Sequence, residues 1–90
     1  MKTDKAVLVN EEGLHARPAN VFTQIAKNFS SDITVLKNSD ETKKYNPKSI
    51  LSIMSMAAMK GDELTIVAEG EDEDQAVVGL IDCVKRGFTK

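Results

Sequence analysis

Breaks in the sequence cut this chain into short pieces, and that constrains its fold more than anything else. Asn10-Glu11-Glu12-Gly13, Asn38-Ser39-Asp40-Glu41, Asn46-Pro47, Lys60-Gly61-Asp62 and Gly70 all read as turns or breakers. Between them lie segments that suit only short strands and modest helices. Ala6-Val7-Leu8-Val9 reads as a first strand, and residues 16–29 as a helix. In that helix Val21, Phe22, Ile25, Ala26 and Phe29 share one apolar face, and Pro18 sits in the first turn, where a missing N–H costs nothing. Residues 33–36 and 42–45 read as strands joined by a tight turn, hence an antiparallel pair. A second helix is expected over residues 48–59. Leu64, Ile66 and Ala68 alternate with Thr65, Val67 and Glu69 as a half-buried strand. Asp72 is placed to cap a last helix, with Gln75 completing a variant capping box, and Ala76, Val77, Leu80, Ile81 and Val84 form its apolar face.

The resulting order is strand, helix, strand, strand, helix, strand, helix. Four strands with three helices on one face make an α+β, open-faced two-layer sandwich, βαββαβα. With 90 residues in all, one domain spanning residues 1–90 is the natural reading. Phe22 and Cys83 are expected in its core. As the single cysteine, Cys83 excludes an intramolecular disulfide and a cysteine-based metal cluster. The net charge of −2 argues against duplex nucleic acid as a partner, since such binding rests on neutralising phosphates. No apolar stretch is long enough for a signal peptide or a membrane span, so the cytoplasm is the expected location.

Chemistry concentrates at Gly13-Leu14-His15-Ala16-Arg17-Pro18-Ala19. The lone histidine of the chain lies where a loop enters a helix. Helix starts present free N–H groups and the positive end of the helix dipole, which suits an anion. A phosphoryl group on the imidazole would meet those donors, and the Arg17 guanidinium suits phosphate oxygens. Gly13 permits a close approach of the loop. On position alone, a capping or packing histidine is the commoner case, and Arg17 and Pro18 shift that balance without settling it. A Ser-His-Asp hydrolase fits poorly, because no nucleophile-elbow sequence is present.

The seven-residue histidine segment resembles the active-site motif of the HPr family, the histidine-containing phosphocarriers of the bacterial sugar phosphotransferase system. Lys48-Ser49-Ile50-Leu51-Ser52-Ile53-Met54-Ser55 is similar to that family's regulatory segment. Glu69-Gly70-Glu71-Asp72-Glu73-Asp74-Gln75-Ala76 resembles its turn into the last helix. The resemblance implies phosphorylation of His15 at Nδ1 by enzyme I, itself charged by phosphoenolpyruvate. Transfer to IIA domains of sugar permeases follows, with Arg17 assisting. It implies a stoichiometric carrier, not an enzyme; no residue cluster points to a metal ion or an organic cofactor. It also implies regulatory phosphorylation of Ser49, with an HPr kinase/phosphorylase and a catabolite control protein as further partners. Ser49 additionally reads as a helix N-cap from its own position. Ala16, Leu51, Met54 and Met56 are the expected docking residues; methionine suits a surface that meets several partners. A carrier that shows one face to many partners is expected to be a monomer.

Some positions depart from the family pattern. Pro47 restricts Asn46 to extended backbone, Ser52 and Ala57 stand where many members have glycine, and the hairpin around residues 38–45 is longer by a few residues than the family pattern. They lie near Ser49 and bear on kinase recognition and partner choice more than on His15. Two rivals remain. An HPr-like regulatory paralogue, in carbon or nitrogen control, would act mainly by protein–protein binding. An RNA-recognition fold would need aromatic residues on its sheet, and Tyr45 is the one aromatic expected in a strand.

Overall fold

The computed structural model describes residues 1–88. Six elements follow one another: β1 (Lys2–Val7), α1 (Ala16–Ala26), β2 (Asp32–Lys37), α2 (Ile50–Ser55), β3 (Glu63–Glu69) and α3 (Glu73–Lys85). The sheet is antiparallel throughout, in the order β1-β3-β2. The alternation along β3 is realised as read: Leu64, Ile66 and Ala68 are fully buried on one face. Ala6 from β1 and Ile33 and Val35 from β2 join them, because strand side chains alternate and the register aligns these positions. The helices cover that face. Phe22 of α1 is fully buried and meets Phe88 edge-to-face at 6.0 Å. Ala76, Val77, Leu80, Ile81, Cys83 and Val84 seat α3 on the sheet.

The fold class is the expected α+β sandwich with an antiparallel sheet and three helices, but the sheet has three strands among the described residues. The strand expected over residues 42–45 is reduced to one bridge, in which Tyr45 and Val35 exchange two hydrogen bonds of 2.9 and 3.0 Å. Turn chemistry uses up the rest of that segment. Asn38 and Ser39 both take positive φ, and Asp40 N–H donates to the Lys37 carbonyl, so the chain reverses tightly. The Asp40 carboxylate then accepts from the Thr42 N–H and hydroxyl, and Asn46-Pro47 ends the approach to β2.

The boundaries of other elements also differ from expectation. β1 begins earlier than the expected residues 6–9, since pairing with β3 carries its polar start. α1 stops at Ala26, where Asn28 and Phe29 bond three residues back and tighten the last turn. α2 is shorter than the expected 48–59, because Ala57 turns to φ +52 and leaves the helix. The expected capping box at α3 does not form. Asp72 occupies the N-cap position but makes no side-chain cap bond; its carboxylate instead accepts from the Ser30 and Ser31 N–H groups and the Ser31 hydroxyl. It thereby ties the α1–β2 loop to the start of α3, and the Ser31 hydroxyl, ahead of the Ser30 N–H, holds its carboxyl below the usual carboxylate range.

Candidate functional site

Leu14 fixes the histidine loop. Its side chain is buried and its N–H donates to the Ala58 carbonyl at 3.0 Å. Gly13 just before it has φ +66, and a Cβ there would stand 2.5 Å from the Ala58 oxygen and 2.8 Å from Met59 Cα. Only glycine fits that conformation and that approach. Asn10 closes the loop from the other side: its Nδ2 donates to the Gly13 carbonyl at 2.8 Å, and its own carbonyl accepts from Gly13 N–H. Outside this ring, Lys60 and Glu11 meet at 2.7 Å in an exposed ion pair, which lowers the Glu11 carboxyl from its ordinary value.

The next residue is His15, exposed and in the N-cap position of α1 with extended backbone. Its carbonyl accepts the first helical bond, from Ala19 N–H at 2.8 Å, but its side chain makes no cap bond. The imidazole is therefore not spent on the helix. The N–H groups of Ala16 and Arg17 precede the first helical bond, and Pro18 contributes none, so two donors stand open beside His15. Arg17 is exposed, and its side chain makes no hydrogen bond or ion pair among the described residues. An anion attached to the imidazole would find backbone donors, the helix dipole and a guanidinium within one turn.

The segment after α2 carries the loop. Ala58 and Met59 run under Gly13 and Leu14, and just before them Lys37 Nζ donates to the Met56 carbonyl at 2.9 Å. α1 also packs on α2. At the start of α2, Ser49 is the N-cap: its Oγ accepts from Ser52 N–H at 3.3 Å. Lys48 beside it donates to the Ser31 carbonyl at 2.8 Å. Of the expected docking residues, Ala16, Leu51 (78% exposed) and Met54 (40%) are at the surface. Met56 is not. It is 1% exposed and stands in the core with Ile53, one helical turn before it on the same stripe, so it leaves the docking group. Met59, which is not among the expected docking residues, is 69% exposed. Asn10 and Ala58 were also missed as supports; the one sequence signal for them was the glycine before Leu14.

Among the described residues, no group of three or more histidine, cysteine, aspartate or glutamate side chains is placed to hold a metal ion. No helix among them is long and apolar enough to cross a membrane.

Comparison with known proteins agrees with this geometry. The family model described as "PTS HPr component phosphorylation site" matches residues 2–86. Phosphocarrier protein HPr of Mycoplasma capricolum is 47% identical over 75 residues, covering 83% of this chain and 81% of its own length. The HPr-like protein Crh of Bacillus subtilis is 48% identical over 68 residues, 76% of each chain. A crystal structure of HPr from Thermoanaerobacter tengcongensis superimposes with a TM-score of 0.90 at 41% identity, covering 100% of this chain and 98% of that one. A dimer of HPr from the same organism superimposes at 0.75, over 100% of both chains, so the expected monomer draws no support from these relatives.

Proposed function

This chain belongs to the HPr family of phosphocarrier proteins of the phosphotransferase system, and from that premise we propose that His15 is the phosphoryl acceptor. Enzyme I is the donor and IIA domains of sugar permeases are the acceptors, in the cytoplasm. In the first step the imidazole Nδ1 forms its bond to phosphorus as the bond to the donor breaks; in the second the Nδ1–phosphorus bond breaks as the acceptor's bond to phosphorus forms. The observation that carries this reading is the exposed imidazole at the α1 N-cap, free of any cap bond, beside the open N–H groups of Ala16 and Arg17. Arg17 neutralises the phosphoryl oxygens during transfer. Leu51 and Met54 offer the apolar contact for partners, with Ala16 at its edge.

Ser49 is the proposed second site of modification, by an ATP-dependent HPr kinase/phosphorylase, with a catabolite control protein as reader. Similarity to Crh favours a second reading, in which the chain acts as a regulatory paralogue mainly by protein–protein binding. One experiment separates them. The chain is incubated with enzyme I, magnesium and phosphoenolpyruvate and weighed intact, beside His15→Ala. One acid-labile phosphoryl group, absent from the variant, supports the carrier. No adduct on a folded chain, with an enzyme I active on another carrier, sinks it and leaves the regulatory reading.

A further inference from the structure

The sheet face turned away from the helices is not bare. The loop between β2 and α2 leans over it and leaves a cleft of about 570 Å³. Its lining falls into three cross-strand rows. In the first, Lys5 stands opposite Thr65, which stands opposite Leu36. The Tyr45–Val35 bridge brings Lys44 beside Leu36, so a lysine flanks this row at each end. Two residues further along lie Thr3, Val67 and Thr34. Two further still, Glu69 faces Asp32. One end of the cleft thus carries two lysines and the other two carboxylates, about 13 Å apart by strand rise. Met1 also lines the cleft, and its ammonium acts on Glu69.

Both ends are chemically unfinished. Thr65 is 5% exposed, and its Oγ1, on the cleft face of β3, has no hydrogen-bond partner. A buried hydroxyl left unpaired is costly and rare. Asp32 and Glu69 are like charges directly opposed, an unfavourable arrangement, and neither carboxylate makes a hydrogen bond or a close ion pair among the described residues. The nearby Met1 ammonium is already committed to Glu73 at 3.0 Å. Lys44 likewise makes no ion pair there, and Lys5 is held only loosely, 3.5 Å from Ser39 Oγ and 3.9 Å from Glu63. Glu41 on the overhanging loop adds a third carboxylate to the lining and disfavours a purely anionic occupant.

We propose that this cleft binds a short linear zwitterion, a peptide of about four residues with both termini free. At 3.3–3.6 Å per extended residue, roughly that length spans the two ends. The peptide carboxylate lies between Lys5 and Lys44 and accepts from the Thr65 hydroxyl. Its ammonium lies over Asp32 and Glu69 and relieves their repulsion. Its middle rests on Val67, between the Thr3 and Thr34 hydroxyls. The longer loop around residues 38–45 then has a use: it delivers Lys44 to the cleft.

The test is an NMR titration of the intact chain with tetra-alanine, with its N-acetylated form and with its C-amidated form. Saturable amide shifts are expected at Thr34, Thr65, Val67 and Glu69. Blocking either terminus weakens binding about tenfold, the worth of one charge-assisted contact. Lys44→Gln and Thr65→Val each weaken it by a similar factor with the melting temperature held or raised. His15→Ala binds as the parent does, which keeps this site separate from the phosphocarrier reading. Absence of saturable shifts, equal shifts from the blocked peptides, shifts centred on His15, or unchanged affinity in Lys44→Gln overturns the proposal.

Discussion

Replacing Gly13 by alanine tests how firmly the histidine loop is held. Residue 13 lies at φ +66, where an L side chain costs about 1–2 kcal/mol. The added Cβ would stand 2.5 Å from the Ala58 oxygen and 2.8 Å from Met59 Cα, and both obstacles are backbone. Neither can swing aside as a side-chain tip would. Overpacking of this kind costs about 1–3 kcal/mol. If the loop lifts away instead, the Leu14-to-Ala58 hydrogen bond is lost, at about 1 kcal/mol. The sum is about 2–5 kcal/mol for Gly13→Ala. In a domain of this size each kcal/mol moves the melting temperature by roughly 4–8 °C, so a fall of about 10 °C or more is expected. Calorimetry measures that fall, and phosphorylation kinetics well below the variant's melting temperature measure the second effect. A displaced loop slows transfer to His15 even where the protein is folded. A variant within about 0.5 kcal/mol of the parent, inside the ordinary scatter of surface substitutions, would refute the reasoning.

Three other substitutions or reagents probe neighbouring features. Ala57→Gly removes a left-handed alanine at φ +52 and should stabilise the fold by about 0.5–1 kcal/mol, after the entropy of the new glycine is counted; urea unfolding shows it. The Asp72 carboxyl is depressed from its ordinary 3.8 by the Ser31 hydroxyl and the Ser30 N–H. Its contribution is therefore present above that value and lost as pH falls through the lower folded-state value, so Asp72→Asn should flatten acid unfolding below about pH 4. Parent and variant with identical acid profiles would contradict it. Cys83 is fully buried and its thiol is pushed up to about 11 by that burial, so iodoacetamide should leave it unmodified in the native state and label it in urea.

The sequence revealed the fold where pattern and burial coincide. β3 alternates because one face meets the helices, and α3 shows its stripe because one side of a long helix meets the sheet. His15 was legible because a loop-to-helix junction is a local feature, written in Gly13 before it and Pro18 after it. What stayed hidden depends on partners distant in sequence. Met56 and Met54 are equivalent by composition in a segment with apolar residues on both sides of its Ser49-Ser52-Ser55 stripe, and the packing of α2 on α1 places Met56 inside. Asp72 has the position of a cap, but a pair of serines from the α1–β2 loop competes for its carboxylate and wins. Residues 42–45 have the composition of a polar strand, and the turn before them takes the residues that a ladder needs.

The geometry of α2 also separates two ways in which Ser49 could act on His15. One is mechanical: modification at the start of the helix would shift its end, and with it the segment under Gly13 and Leu14. The other is electrostatic: charge beside Leu51 would repel an acidic partner. The Ser49 side chain holds the helix by one bond, accepted from Ser52 N–H at 3.3 Å, which a carboxylate or phosphate accepts equally well. Its carbonyl keeps the Ile53 N–H whatever the side chain. The far end is secured independently, by Lys37 on the Met56 carbonyl and by Ile53 and Met56 in the core. The electrostatic route is therefore the one open to it. Ser49→Asp is expected to keep its stability within about 0.5 kcal/mol, since serine and aspartate cap almost equally well. The NMR signals of Leu14 and His15 should stay in place while those of Leu51 and Ser52 move. Association with an acidic partner should slow, with the loss shrinking as salt is added, as screening requires. If instead the Leu14 and His15 signals move as far as those of Ser52, or the slower association is indifferent to salt, the helix transmits strain and the electrostatic account fails.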